Sequence, residues 1–186
     1  MNERVKAILN FWFEESTTKD HFTKNDIFDR KIKHLFEKDY NNAVNNKIDD
    51  WQDDPQSCIA LIILLDQFSR NLYRDNSLSY AQDLKVRLIA NEAIDRGDLE
   101  VIQSKEKLFL ILPLIHSENI SDHIFAHNLC DVYLVSLDNY KEIKKQFNDH
   151  TNVIKKFKRY PHRNKILGRI STNEEVIFLS KENSSW

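Results

Sequence analysis

Residues 53–74 read DDPQSCIALIILLDQFSRNLYR, and how they are read decides the fold. The apolar run CIALIILL at 58–65 is eight residues long, which suits a buried strand as well as a buried helix. The pattern continues through Phe68 and Leu72, too far for an ordinary strand. Asp54 is a favoured N-cap, and Pro55 fits the first helical position, where its missing N–H is no loss. The stretch therefore predicts a central helix, apolar nearly all round and so buried.

The composition supports a helical chain. Only 2 Gly and 3 Pro occur in 186 residues, whereas chains with many tight turns need more of both. On the N-terminal side, RVKAILNFWFEE carries Val5, Ile8, Leu9, Trp12 and Phe13 as a helical stripe. Residues 25–44 do the same with Phe28, Ile32, Leu35, Phe36, Tyr40 and Val44. On the C-terminal side, Tyr80, Leu84 and Leu88 form one stripe, with Ala81, Ile89 and Ala93 beside it, closed by Gly97 as a C-cap. SKEKLFLILPLIHSE is apolar, and Pro113 should kink or end its helix. SDHIFAHNLCDVYLVSL is a further helix. In residues 138–160, Tyr140, Ile143, Phe147, His150, Ile154 and Phe157 keep a helical spacing until Pro161. STNEEVIFL offers capping boxes, Ser171 with Glu174 or Thr172 with Glu175. The reading is all-α, with about eight helices in a single domain over 1–186. LFLILPL and VIFL are the two places where a strand would fit instead.

Charge and cysteine content narrow the function classes. The net charge of −2 gives no general pull toward nucleic acid or an anionic membrane, and the basic run KKFKR is too short to reverse that. No apolar run approaches the ~20 residues that a spanning helix needs. Cys58 and Cys130 both lie in apolar runs and read as buried thiols. With no signal peptide, they point to the cytoplasm. Nucleotide-binding glycine motifs, an elbow serine and CxxC pairs are all missing from the sequence. His123 and His127 have an i, i+4 spacing that can hold zinc, but no HExxH or third ligand accompanies them, so no metal and no cofactor is expected.

Three polar blocks stand out. Asp66, Arg70 and Arg74 follow one helical face, with Gln67 and Asn71 alongside, at the end of a helix that should be buried. Such groups need partners or solvent-lined space, although a solvated ion-pair face is the bland alternative. His116, Ser117 and Glu118 follow the proline-broken run, where helix-end carbonyls are unpaired; a polar loop explains them equally well. His150 occupies an apolar-stripe position, where a histidine is most often a core residue with one hydrogen bond. The third block, RYPHRNKILGR at 159–169, gathers Arg159, His162, Arg163, Asn164 and Arg169 around one bend, with Gly168 suited to a positive φ. Helix C-terminal complementarity accounts for Lys155, Lys156, Lys158 and Arg159, but not for PHRN beyond the helix.

Taken together, VKAILNFWF, ALIILLDQFSRNLYR, LPLIHSE and the stretch from His150 to VIFL resemble the bacterial domain-of-unknown-function family 924 over nearly the whole chain. The resemblance implies a TPR-like fold, an antiparallel array of helix pairs, with no established biochemical role. It also implies that three blocks belong together: Asp66, Gln67, Arg70 and Asn71; His116, Ser117 and Glu118; and His150, Arg159, Pro161, His162, Arg163, Asn164, Gly168 and Arg169, with Thr172 and Glu175 as a capping tail. Tyr160 stands where the family commonly has Phe, and Ser69 where it commonly has Pro. His123 and His127 lie outside the pattern.

The resulting expectation is a shared concavity in which Arg70, Arg163, Arg169 and His162 outnumber the acceptors Asp66 and Glu118. Such a site suits a small carboxylate or phosphate. His116 or His150 would act as acid or base, with Glu118 as its orienter or as base, for hydrolysis by an activated water or for group transfer. Two alternatives stand beside it: a basic groove for an acidic peptide, and a polar network that only fixes helix packing.

Overall fold

The computed structural model describes residues 2–182 and residue 184, and no β-strand occurs among them. Residues 55–72 form the central rod. It runs as α4 (Pro55–Ile62), a π-helical segment (Ile63–Phe68) and α5 (Ser69–Leu72). Backbone angles stay right-handed helical at both junctions, φ −59° and ψ −44° at Ile63 and φ −55° and ψ −42° at Ser69, so the rod is unbroken. The Asp54 carboxylate accepts from the Ser57 N–H, and Pro55 takes the first turn, as the sequence predicts. Every residue from 58 to 69 is buried.

Around the rod lie α1 (Glu3–Asn10, prolonged by a π turn Phe11–Glu15), α2 (Thr18–Phe22), α3 (Asp26–Val44), α6 (Asp83–Arg96), α7 (Asp98–Val101), α8 (Ser104–Ile115), α9 (Ile120–Tyr133), α10 (Tyr140–Phe157) and α11 (Asn173–Leu179). Helices α1, α6 and α8 pack on α4, and α3 packs on the π segment and α5. Next, α8 packs on α9 and α9 on α10, while α11 contacts the 3-10 turn Pro161–Arg163. Rings of Phe11, Trp12, Phe28, Phe36, Phe68 and Phe109 meet in the main core at centroid separations of 5.1–6.3 Å. A second small core holds Val153, Ile154 and Tyr160.

Three sequence expectations need adjustment. The described chain has eleven α-helical segments rather than about eight, because the π segment divides the rod and the short α2 and α7 are separate. The stripe Tyr80–Leu84–Leu88 does not face the core. Tyr80 lies in a 3-10 turn (Ser77–Tyr80), Leu84 and Leu88 are exposed, and α6 buries Val86, Ile89, Ala90 and Ala93 instead. Pro113 does not break α8 at once; the helix runs two residues further before His116 caps it. LFLILPL and VIFL are helical, in α8 and α11. Gly97 and Gly168 take φ of 91° and 66°, the left-handed region that favours glycine. No described helix is long and apolar enough to cross a membrane.

Candidate functional site

The site starts at Asp66, which the π segment places inside the protein with no exposed surface. Its Oδ1 accepts from Nδ1 of His116 at 2.8 Å and forms an ion pair with Nη1 of Arg70 at 3.0 Å, and Oδ2 accepts from Gln67. Complete burial pushes the Asp66 carboxyl upward, but the Arg70 charge and His116 outweigh it and hold the group at about 2. Asp66 is therefore a carboxylate and can only accept, so Nδ1 of His116 donates. In the neutral form of the ring the lone pair therefore sits on Nε2, which bonds to no described residue. His116 caps α8, and its side chain is 17% exposed, so the ring is anchored from one side by Asp66 and is not wholly shut off from solvent.

Arg70 is held twice over. Besides the Asp66 carboxylate, its Nη1 donates to the Asp66 carbonyl at 2.6 Å. Its Nη2 turns to Asp83 Oδ1 at 3.1 Å, and the other Asp83 oxygen accepts from Nη1 of Arg163 at 2.9 Å. The Arg163 guanidinium lies between two rings, 4.5 Å from the Tyr80 centroid and 4.6 Å from that of Tyr160. Both are cation–π distances. His116, Asp66, Arg70, Asp83 and Arg163 thus form one continuous chain of bonded charge, drawn from four separate parts of the sequence.

The His-Ser-Glu turn is fastened beside it. Glu118 accepts from Arg169 with both oxygens, at 2.7 and 2.9 Å, and from the Tyr160 N–H at 2.8 Å. Burial raises the Glu118 carboxyl, and the Arg169 and Tyr160 hydrogen bonds overcome that and lower it. The Tyr160 hydroxyl donates to the Ile115 carbonyl in the last turn of α8. His123, fully buried, donates from Nε2 to the Ser117 carbonyl at 2.8 Å, and its Nδ1 lies 3.0 Å from Thr151 Oγ1. His127 Nε2 lies 2.9 Å from the same hydroxyl. The i, i+4 histidine pair therefore meets a threonine. No group of His, Cys, Asp or Glu side chains arranged to hold a metal occurs among the described residues.

The three sequence blocks are only partly brought together. Asp66, Gln67, Arg70, His116 and Arg163 meet, and Glu118 with Arg169 adjoins them through Tyr160. Asn71 turns away to Asp29 of α3, which Arg74 also binds. Arg159 and Asn164 bond to Glu175 and so belong to the seating of α11, where Thr172 and Glu175 form the expected capping box. Arg159 holds the Glu175 carboxyl at about 2. His150 contacts the Gln146 carbonyl through Nδ1 at 2.8 Å, and burial pushes it down to about 3. Burial, then Arg163, does the same to His162. Both rings are neutral at neutral pH.

Two readings of the sequence change. The residue that orients His116 is Asp66, fifty positions away, and not Glu118, whose oxygens are taken by Arg169 and Tyr160. The expected excess of cations is cancelled by Asp83, so that Asp66, Asp83 and Glu118 face Arg70, Arg163 and Arg169. Neither Asp83 nor Tyr80 belongs to a recognisable motif. The available signal was that buried arginines require more carboxylates than the blocks themselves supply.

Fold and site together define an all-α protein built around a buried carboxylate that anchors a histidine and an arginine. The chain belongs to a bacterial protein family of unknown function, DUF924, whose sequence pattern matches residues 8–183. It is similar to a solved protein of unknown function from Agrobacterium tumefaciens, with 31% identity and a TM-score of 0.84 over 95% of this chain and 97% of that one. No curated protein matches it.

Proposed function

We propose that the protein binds a small carboxylate- or phosphate-bearing molecule where His116, Arg70 and Arg163 meet, and that Nε2 of His116 takes up and returns a proton there. One observation carries the reading: the fully buried, ionised Asp66 bonds to both His116 and Arg70. A buried ion pair is weak evidence for stability, since apolar side chains of like volume often do as well. Its value here is positional. Asp66 fixes the tautomer that leaves Nε2 basic, stabilises the imidazolium once Nε2 is protonated, and sets a guanidinium alongside for an anionic group. Activation of a water or of a ligand hydroxyl by Nε2 follows from that arrangement. The buried thiols Cys58 and Cys130, both pushed up by burial, support a reducing, cytoplasmic setting.

The test is a thermal-shift and calorimetric titration of the wild-type protein with phosphate, succinate, glutamate and citrate at millimolar concentration. A saturable rise in melting temperature with at least one anion is expected, lost or weakened about tenfold in Arg70→Gln. No response to any of the four would overturn the reading.

A second reading is favoured by a specific observation: each carboxylate of the site is already bonded to an arginine. In that case the network fixes helix packing and no anion binds. The same titration separates the two.

A further inference from the structure

We infer that Asp83 is a built-in stand-in for the ligand, a carboxylate of the chain itself that occupies the arginine pair until a carboxylate-bearing molecule displaces it. The inference rests on the binding reading above and narrows it to one ligand class. Its basis is an asymmetry in how the three charged groups are held. Besides Asp83, Arg70 has an ion pair and a hydrogen bond to Asp66, and Arg163 has two tyrosine rings. Asp83 bonds to nothing but these two arginines among the described residues. It is also the first residue of α6, directly after the turn residues Ala81 and Gln82, and it keeps 19% of its side chain exposed. The cations have other anchors and the anion has none among the described residues.

The bonding mode supplies the class. One oxygen of Asp83 faces one guanidinium and the second oxygen faces the other, which is how a planar two-oxygen anion bridges two donors. A ligand carboxylate entering the same place finds the donors already spaced for it. The Tyr80 ring borders both donors, its centroid 5.7 Å from Arg70 Cζ and 4.5 Å from Arg163 Cζ. Asp83, once released, remains in the first turn of α6, where a negative charge is favourable.

Calorimetry of succinate and of inorganic phosphate against wild type and Asp83→Asn tests this. A resident competitor that fills the site about nine-tenths of the time costs a ligand about tenfold in apparent affinity. Asp83→Asn is therefore expected to bind succinate about tenfold tighter than wild type, and the assigned class requires succinate to bind more tightly than phosphate in both proteins. Wild-type binding that is unchanged or weakened in Asp83→Asn overturns the inference and leaves the binding site standing. Tighter binding of phosphate than of succinate to Asp83→Asn overturns the assigned class. Silence from both proteins with both anions removes the binding site as well. Should Asp83→Asn fail to fold, carbon-13 NMR of the wild type decides: the Asp83 carboxyl resonance is expected to move on saturation with succinate, and a stationary signal overturns the inference.

Discussion

Nη1 of Arg163 lies 2.9 Å from Oδ2 of Asp83, across 80 positions of the chain. This bond ties the C-terminal loop to the start of α6, and it is one of two holds on the Arg163 side chain among the described residues. The other is the pair of tyrosine rings, which act on the guanidinium alone. The two ends of the bond should therefore respond unequally to mutation. Arg163, 8% exposed, loses two ring contacts and its ion pair in Arg163→Ala, at a cost of about 2–4 kcal/mol. Asp83→Ala leaves both arginines their other anchors and should cost about 1–2 kcal/mol. Urea denaturation of the two variants measures the order. An equal or larger loss in Asp83→Ala would show that Arg163 depends on Asp83 after all.

Acid should destabilise the protein well above the range where carboxylates titrate. His150 and His162 sit at about 3 in the folded state against an ordinary 6.5, because burial disfavours their charged forms. Cationic Arg163 adds to this at both rings, and Arg70 and Arg169 also act on His162. A depressed histidine makes the unfolded chain the stronger proton binder, so its contribution is complete above 6.5 and drains away as pH falls toward 3. Each ring contributes a slope of up to about 1.4 kcal/mol per pH unit inside that window. Asp66 and Glu175, both held at about 2, add a second loss below their ordinary values of 3.8 and 4.5. Urea midpoints measured from pH ~7.5 to pH ~5 should fall steadily in wild type and less steeply in His150→Gln. A flat profile would mean that these rings are not shielded from water.

Much of this architecture is legible in the sequence, and what escapes has a physical reason. Asp54–Pro55, Gly97 and Thr172–Glu175 act within a turn of where they stand, so local chemistry sets their roles and reading the letters suffices. Pattern also identifies α10, whose buried Ile143, Phe147 and Ile154 lie on one stripe. It fails for Leu84 and Leu88, because apolar spacing shows that a face exists and not which neighbour covers it. The π segment is invisible, since one extra residue per turn leaves no compositional mark. Within the site, the blocks were found, but their pairing was not. Glu118 lies two residues from His116 and was the obvious orienter, yet the turn between them points the carboxylate at Arg169, while the central rod delivers Asp66. Long-range partner choice is set by packing.

The C-terminal contacts should behave as a latch separate from the site. Glu175, 2% exposed, gathers Arg159, Asn164 and the Thr172 N–H, and all of these hold α11 rather than His116 or Arg70. Glu175→Gln removes the charge while keeping the shape, at a local cost of about 1–2 kcal/mol. Hydrogen exchange in α11 should quicken about tenfold, with exchange in the central rod unchanged. Slowed or lost anion response in the same variant would join the latch to the site and refute the separation.

Asp66→Asn tests the centre of the arrangement, because it alters one charge and almost no volume. In the wild type the carboxylate forces Nδ1 of His116 to donate, and the lone pair sits on Nε2. An asparagine presents either a carbonyl or an amide to the same nitrogen. The carbonyl face leaves Arg70 next to a neutral group, and the amide face drives the proton of His116 onto Nε2. Either way a guanidinium that is 21% exposed loses its nearest charge and keeps only Asp83, so the variant should be less stable by about 2–4 kcal/mol. Nitrogen-15 NMR of the imidazole reads the tautomer directly. In the neutral ring of the wild type Nε2 should carry no proton, and the variant should show a mixed or reversed population. Protonated Nε2 in the wild type would place the proton on the wrong side of the ring and remove His116 as the base.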